Sequence, residues 1–267
     1  MYCAIKNISP QRKYEEAVKT IHLRRTYTEG LFCFSDMMFF LRLTVFVIIY
    51  GIFANAELPR ECAELAITSC GVYKIYPFAN LQPGVSVYCK IDTSGHIWTV
   101  IQQRFDGSVN FFRKWQNYKT GFGQPFGEYW LGNDVIHELT TGANHALRIE
   151  LADFNGTSKY AEYKNFSVSS EPNKYRLLLK GFSGNAGDAL TGLNGHSFST
   201  YDQDNDVWPS NCAEKFKGAW WYSKCHSSNL NGLYWGGPHT EYASGINWGS
   251  WGYHYSLQAT AMMIRAT

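Results

Sequence analysis

A run of alternating carboxylates leads directly into a short segment that is bounded by two cysteines and rich in aromatic side chains. The carboxylates belong to Asp202, Asp204 and Asp206, and the cysteine-bounded segment spans residues 212–225. Two or three carboxylates of an extended or coiled segment can converge into a crowded set of hard oxygen ligands, which suits calcium. The alternative is a solvated acidic turn. A calcium loop joined to an aromatic-rich loop predicts recognition of a small ligand rather than catalysis.

The spacing excludes one common calcium site, the EF-hand. An EF-hand loop that begins at Asp202 needs glycine at its sixth position and glutamate at its twelfth. Those positions hold Val207 and Ala213. The acidic run is therefore predicted to bind calcium in a different loop geometry.

The motifs of several enzyme classes are present only in part. His137-Glu138 begins like the helix of a zinc protease, but Thr141 stands where the second histidine ligand has to be. Residues 181–185 contain a serine without the spacing of a nucleophile elbow, and the glycine-rich stretches contain no phosphate loop. Spacing does not exclude a pair of glycosidase carboxylates, because the partners come from distant strands. The failed motifs favour a protein without catalytic activity.

Composition favours one main globular domain. The chain has 267 residues, of which 45% are apolar and 16% aromatic, and its net charge is +2. The first 56 residues hold 7 Lys and Arg against 4 Asp and Glu, which leaves 17 against 18 in the remainder. Since the larger part is nearly neutral, nucleic acid is not predicted as a partner.

Residues 37–56 have the pattern of a secretory signal peptide. Arg42 is followed by an uncharged, largely apolar stretch that ends at the A-x-A sequence of residues 54–56. The alternative is a membrane anchor, but about 20 apolar residues are needed to span a bilayer, and Arg42 interrupts this run. The pattern therefore predicts a secreted, extracellular protein without a membrane span.

A signal peptide normally opens a chain, whereas here 36 residues of mixed character precede Met37. We therefore expect translation to start at Met37 or Met38. Residues 1–36 are then an upstream extension outside the fold, and the mature protein comprises residues 57–267.

Beyond residue 56 the chain has an odd number of cysteines. An oxidising environment lets disulfides persist, so two pairs and one leftover thiol are expected, and spacing does not fix which cysteine is left over. The leftover residue forms either an intermolecular bridge or a buried thiol. The five cysteines are Cys62, Cys70, Cys89, Cys212 and Cys225.

Two N-x-S/T triplets are relevant in a secreted protein. Asn155 is followed by Gly-Thr and Asn165 by Phe-Ser, and both are acceptor patterns for N-linked glycosylation. We therefore expect the protein to be a glycoprotein.

Hydrophobic periodicity predicts a mixture of strands and short helices. Residues 95–104, 146–151 and 175–180 show the alternating or continuous apolar character of strands, and we expect them to lie in one sheet. Residues 133–140 and 211–216 have helical patterns. From residue 181 onward glycine and asparagine are dense, so the C-terminal region is predicted to be rich in loops that need ligands or bridges to hold them.

A series of spaced motifs extends over residues 60 to 265, essentially the whole predicted mature chain. The motifs are Ser69-Cys70-Gly71-Val72-Tyr73, Val87-Tyr88-Cys89-Lys90-Ile91-Asp92, Ile97-Trp98-Thr99-Val100-Ile101-Gln102-Gln103-Arg104, Glu128-Tyr129-Trp130-Leu131-Gly132, Trp220-Trp221-Tyr222, Cys225-His226 and Asn229-Leu230-Asn231-Gly232. Together they resemble the fibrinogen C-terminal domain. Within that family the chain is most similar to the secreted innate-immune lectins, the ficolins and tachylectins.

The resemblance implies an α+β fold in three parts. A small N-terminal subdomain holds a disulfide, a central sheet is mostly antiparallel with short helices, and a loop-rich C-terminal subdomain binds calcium. The implied disulfides are Cys62 with Cys89 and Cys212 with Cys225. Cys70 stands where the family usually has a small residue other than cysteine.

The resemblance also implies the calcium ligands. Asp204 and Asp206 contribute side chains, and Trp208 and Ser210 contribute main-chain carbonyl oxygens, with water completing the site. Calcium is then a brace for the ligand pocket and does not contact the sugar.

By the same resemblance, an acetyl-binding pocket lies beside the second cysteine of the loop. The peptide bond between Lys224 and Cys225 is expected to be cis and to turn main-chain N–H groups toward the acetyl oxygen. Without the resemblance, such aromatic residues are more often part of a core. The implied pocket walls are Phe216, His226, Tyr242, Ala243 and Tyr253.

These features together predict a secreted, calcium-stabilised, lectin-like protein of innate immunity that binds N-acetyl sugars such as N-acetylglucosamine on microbial surfaces or glycoproteins. The alternative is a protein-binding module that engages a receptor or a haemostatic ligand through the same region. A structural or clotting role is less favoured. Because a single sugar site binds weakly, a homo-oligomer is also expected.

Overall fold

A nine-stranded antiparallel sheet runs through the part of the chain that the computed structural model describes, residues 58–78 and 83–267. The predicted extension (residues 1–36), the signal peptide (residues 37–56) and residue 57 lie outside the described residues. The sheet strands are β1 (Gly71–Ile75), β2 (Val85–Ile91), β3 (Ile97–Arg104), β4 (Phe122–Gly123), β5 (Tyr129–Trp130), β6 (His145–Ala152), β7 (Ser158–Val168), β8 (Leu177–Gly184) and β13 (Ala259–Ala266). The main path of the sheet has the order β1-β2-β3-β13-β6-β7-β8, and β5 joins β4 to β3.

The C-terminal strand lies in the middle of this sheet. β13 pairs with β3 on one side and with β6 on the other, both antiparallel. The central strand β3 has six buried residues among its eight because other elements cover both of its faces. The pairing fixes the end of the chain to its core.

Three α-helices and two short ribbons complete the described elements. The helices are α1 (Trp115–Thr120), α2 (Asn133–Thr140) and α3 (Cys212–Lys215), and short 3-10 turns cover Cys62–Glu64, Glu171–Asn173, Thr191–Leu193 and Gly249–Trp251. One ribbon joins β9 (Ser228–Asn229) to β11 (Asn247–Trp248), and the other joins β10 (Gly237–Pro238) to β12 (Tyr255–Ser256). The α+β class, the antiparallel sheet and the few short helices confirm the fold expected from the sequence.

The N-terminal disulfide attaches the first described residues to the sheet. Cys62 and Cys89 form this bridge, the pairing that the resemblance implies, with 5.6 Å between their Cα atoms. Cys70 is half-buried, and its sulfur accepts a hydrogen bond from the Ile91 N–H at 3.2 Å. Cys70 also has a partner beyond these contacts, so it is not a lone thiol.

A buried ion pair joins the sheet to the loop-rich region. Arg104 and Glu128 are at most 1% exposed, with 3.7 Å between Nε and Oε1. Arg104 donates two hydrogen bonds, to the carbonyl oxygens of Leu230 at 3.1 Å and Gly232 at 2.9 Å. Glu128 in turn accepts main-chain N–H groups from four residues, namely Phe105, Asp106, Gly107 and Val109. This pair therefore positions the segment that follows the cysteine-bounded loop.

Candidate functional site

The cysteine-bounded loop is closed by a disulfide between Cys212 and Cys225, as the resemblance implies. The loop starts with helix α3, where the side chain of Asn211 accepts the Glu214 N–H at 2.9 Å and caps the helix. At the other end of the loop, the peptide bond between Lys224 and Cys225 is cis. The bridge holds the two ends of the loop together.

Four aromatic rings form a cluster beside this bridge, which we call the ring cluster: Phe216, His226, Tyr253 and Tyr242. The ring centroids of Phe216 and His226 lie 4.9 Å apart with an edge-to-face angle of 87°. His226 and Tyr253 are 6.2 Å apart, and Tyr253 and Tyr242 are 5.4 Å apart. Exposure rises along the cluster from 8% at Phe216 to 58% at Tyr242. The cluster thus extends from the interior to the surface.

His226 lies at the centre of the ring cluster and has a defined tautomer. Its Nε2 is 3.1 Å from the carbonyl oxygen of Ala243, so Nε2 carries the proton and donates it. The other nitrogen, Nδ1, is buried and has no hydrogen-bond partner among the described residues. Burial lowers the pKa of His226 to about 4, against the opposing effect of the Ala243 carbonyl. The ring is therefore neutral at physiological pH.

This pKa gives a prediction for the pH dependence of stability. The unfolded state takes up a proton near pH 6.5, whereas folded His226 does so only near pH 4. The folded state consequently loses stability as the pH falls through this window, by at most about 1.4 kcal/mol per pH unit. Urea unfolding at pH 7 and pH 4.5 should show a larger loss for the wild type than for His226→Gln. Other titrating groups cancel in the comparison, and equal losses would contradict the buried, neutral ring.

Ala243 and Lys224 complete the predicted pocket residues. Ala243 is buried and has a φ of 57°, in the left-handed region that residues with a Cβ seldom occupy. Its N–H donates to the Tyr253 carbonyl oxygen at 2.8 Å, which fixes this backbone against the ring cluster. Lys224 is exposed. The fold thus gathers Phe216, Cys225, His226, Tyr242, Ala243 and Tyr253 around one end of the loop.

The acidic run forms a loop that is tied to the disulfide. Asp206 accepts the Trp208 N–H on Oδ1 at 2.8 Å and the Cys212 N–H on Oδ2 at 2.9 Å. Asp204 accepts the Asp206 N–H at 3.1 Å. Asp202 is directed elsewhere: it accepts the N–H of Trp115, the first residue of α1, at 2.9 Å. Of the three alternating carboxylates, only Asp204 and Asp206 therefore lie together.

The chemistry of this loop fits a hard cation. Burial raises the pKa of Asp206, and the neighbouring charge of Asp204 raises it further, so a cation between the two carboxylates would relieve an unfavourable contact. The described residues contain no group of three or more His, Cys, Asp or Glu side chains that could hold a metal. The expected donor set has only two such side chains, and its other ligands are the carbonyl oxygens of Trp208 and Ser210, which calcium accepts.

Sequence reasoning missed a second group of rings beside Tyr242. The His254 ring lies 5.4 Å from Tyr242, His239 lies 6.4 Å from His254, and Trp235 stacks on His239 at 5.8 Å. The available signal was a large aromatic residue, Trp235, immediately before two glycines in a loop-rich segment. The ribbon of β10 and β12 brings these residues together, and pairing between such short strands has no sequence periodicity.

The two acceptor asparagines are accessible in the folded protein. Asn155 is exposed in the turn between β6 and β7, and Asn165 is exposed on β7. Separately, no helix in the described ranges is long and apolar enough to cross a membrane.

The sequence was compared with known families and proteins. Residues 58–267 match the family described as the C-terminal globular domain of fibrinogen beta and gamma chains. Ryncolin-4 of Cerberus rynchops is 52% identical over 211 residues, which cover 77% of this chain and 61% of that protein. Microfibril-associated glycoprotein 4 of Homo sapiens is 47% identical over 217 residues, covering 78% of this chain and 85% of that protein. The chain thus spans less than two thirds of ryncolin-4.

Solved structures give the same result. The fibrinogen-like globe domain of human ANGPTL6 has a TM-score of 0.75 and 43% identity, covering 78% of this chain and 96% of that one. Lamprey fibrin D-dimer, complexed with the peptide Gly-His-Arg-Pro-amide, has a TM-score of 0.73 and 31% identity, covering 95% of this chain and 88% of that one. The similarity therefore includes both fold and sequence.

Proposed function

The chain belongs to the family of fibrinogen C-terminal globular domains, whose members are non-enzymatic recognition modules, and on this premise we propose that it is a secreted, calcium-braced, lectin-like protein that binds acetylated groups. Its ligands are N-acetyl sugars on microbial surfaces or on glycoproteins, in a role in innate immunity.

The ring cluster is the observation that carries this proposal. Phe216, His226 and Tyr253 provide apolar faces that can enclose a methyl group, and Tyr242 adds a hydroxyl group at the exposed end. Main-chain N–H groups near Cys225 supply donors for the acetyl oxygen. An acetyl group has this combination of a small apolar end and a single strong acceptor.

The electrostatics of the cluster also favour a neutral ligand. His226 is uncharged at physiological pH, and the four rings of the cluster include no carboxylate. A ligand with an ammonium group has no counter-charge among these rings.

Calcium would act on the shape of the site rather than on the ligand. The ion would be held by the side chains of Asp204 and Asp206 and by the carbonyl oxygens of Trp208 and Ser210. Its positive charge would balance the negative charges of the two carboxylates. Asp206 already bonds the Cys212 N–H. A cation at this position would therefore stiffen the disulfide-closed loop that carries the ring cluster.

Secretion is part of the same proposal. Two intrachain disulfides in the described residues, Cys62–Cys89 and Cys212–Cys225, are typical of proteins from oxidising compartments. Cleavage after Ala56 and glycosylation of the exposed Asn155 and Asn165 follow from that route. Sequencing the N terminus of secreted material tests the cleavage site.

A peptide-binding role is the second candidate. It is favoured by the structural similarity to lamprey fibrin D-dimer, which was solved with a peptide ligand. A peptide amino terminus is cationic, however, and the neutral ring cluster lacks the carboxylate that would pair with it. Acetylated ligands therefore fit the observed site better.

We expect the full chain, expressed through a secretory host, to be captured on immobilised N-acetylglucosamine and on acetylated albumin. Capture should require calcium, should be lost in a chelator, and should be reversed by free acetate. The Asp204→Asn variant should need much higher calcium, because one of two carboxylate ligands becomes neutral. Pull-down with quantification of bound protein measures each of these effects.

Two controls accompany this experiment. Glu214→Gln removes a nearby exposed acid that is not among the proposed ligands, and it should leave the calcium dependence unchanged. Gly-His-Arg-Pro-amide serves as a competing ligand. If the folded protein bound this peptide but did not bind the acetylated supports, the second candidate would replace the proposed function.

A further inference from the structure

We propose that the site continues beyond the acetyl pocket as a subsite for the further units of a linear oligosaccharide, formed by four rings that we call the ring row: Tyr242, His254, His239 and Trp235. This inference rests on the proposed function, because it assumes that an N-acetyl sugar occupies the ring cluster and adds where the next sugar units lie.

The ring row is continuous with the pocket. It begins at Tyr242, the most exposed ring of the ring cluster, and proceeds by ring-to-ring steps of 5.4 Å to His254, 6.4 Å to His239 and 5.8 Å to Trp235. The last two rings are nearly parallel, with an interplanar angle of 26°. Tyr242, His254 and Trp235 are exposed, whereas both ring nitrogens of His239 are buried. A ligand that is anchored by its acetyl group and extends along the surface therefore meets the three exposed rings, and His239 supports Trp235 by stacking on it.

Trp235 is placed at the surface in a way that core packing does not explain. All nine tryptophans lie in the described ranges, and only Trp235 is exposed, at 43%, while the others are buried or half-buried. Tyr242 is exposed at 58%. Large exposed apolar groups in one region of a surface are a common feature of binding sites. The faces of sugar rings are apolar and their edges carry hydroxyl groups, which suits an exposed aromatic row with polar surroundings.

The row is also held rigidly in place. The Trp235 indole donates to the Ser244 hydroxyl at 3.0 Å, and the Trp235 N–H donates to the Ser256 hydroxyl at 3.3 Å. The His239 N–H donates to the His254 carbonyl oxygen at 3.0 Å, next to the paired strands β10 and β12. Burial lowers the pKa of His239, so this ring is neutral at pH 7. Rings that are fixed before the ligand arrives lose little entropy on binding.

The test compares a short ligand with a longer one by calorimetric titration of the full chain. N-acetylglucosamine reaches only the pocket, whereas N,N′,N″-triacetylchitotriose also reaches the ring row. We expect the wild type to prefer the trisaccharide, and Trp235→Ala to lose about 3- to 10-fold in trisaccharide affinity with unchanged affinity for the monosaccharide. Trp235→Phe, which keeps an aromatic face, should retain most of the preference.

Phe126→Ala is the matched control, since Phe126 is exposed at 52% and lies outside the ring row; it should change neither affinity. Unacetylated cellotriose should not bind, because it lacks the anchoring group. If the wild type and Trp235→Ala both bound the monosaccharide and preferred the trisaccharide to the same extent, the subsite would be overturned and the proposed function would stand. Failure of folded wild type to bind either acetylated sugar overturns the proposed function and the subsite together. Intrinsic fluorescence and thermal unfolding verify that each variant is folded.

Discussion

Replacing Glu128 by Gln is expected to lower the free energy of unfolding by about 3–5 kcal/mol, the typical cost of removing one partner from a buried ion pair. The substitution keeps the shape of the side chain and removes its charge. Arg104, at 1% exposure, would then remain charged and buried without its counter-ion. Burial already lowers the pKa of Arg104, and the Glu128 charge opposes that effect. Guanidinium chloride titration of both proteins measures the difference.

A partly exposed ion pair provides the matched control. Arg148 and Glu162 lie 3.1 Å apart, but their side chains are 21% and 33% exposed. Glu162→Gln is therefore expected to cost less than about 1 kcal/mol. If the two variants unfolded at similar denaturant concentrations, the pair of Arg104 and Glu128 would not have the structural role assigned to it.

The consequence for function follows from the contacts of Arg104. This side chain holds the carbonyl oxygens of Leu230 and Gly232, just after the disulfide-closed loop. The short strand β9 ends at Asn229 and pairs with β11. The position of the ring cluster therefore depends on a charge pair that lies outside it.

Sequence patterns predict which segments form the central strands better than they predict the order of the strands in the sheet. Residues 95–104, 146–151 and 175–180 were predicted as strands because their apolar residues are continuous or alternate, and they correspond to β3, β6 and β8. The first and the last prediction each begin two residues early. At β8 the reason is that Lys174 and Tyr175 have φ values of 57° and 47° and end the preceding turn before the strand can start. The local pattern of apolar residues therefore predicts where these strands lie along the chain.

The order of the strands in the sheet cannot be predicted from these local patterns. β13 comes last in the chain yet lies between β3 and β6, and periodicity does not state which strands are neighbours. The ribbons around the site are only two residues per strand, too short for any period. Their positions depend on buried side-chain bonds such as that of Ser256 to the Ile246 N–H at 3.1 Å.

The sequence predicts only part of the candidate site, because long-range contacts decide which side chains come together there. Alternation suggested that Asp202 could join the other two carboxylates, but its side chain instead accepts the first N–H of α1. The pairing of Cys212 with Cys225 came from the family resemblance and not from spacing. The sequence does not predict Trp235 and His239 as site residues, because the β10–β12 ribbon creates their proximity to Tyr242.

Removing the disulfide of the loop, by Cys212→Ala together with Cys225→Ala, is expected to affect both stability and binding. The bridge spans 13 residues, and closing a loop of this length contributes about 3 kcal/mol by restricting the unfolded chain. The same bridge holds Phe216 and His226 near each other in the folded protein. Denaturant titration should show the loss of stability, and capture on N-acetylglucosamine should fall at least tenfold even where the variant remains folded.

The second disulfide separates these two effects. Cys62 and Cys89 are 27 residues apart, so their removal is expected to cost somewhat more stability than removal of the first bridge, about 3–4 kcal/mol on the same basis. That bridge joins the N-terminal turn to strand β2 and contacts no member of the ring cluster. Its loss should leave the sugar affinity of the folded fraction unchanged. If both double variants lost binding in proportion to stability, the bridge of the loop would act on the whole fold rather than on the site, whereas a selective loss in the first variant locates ligand binding at the disulfide-closed loop.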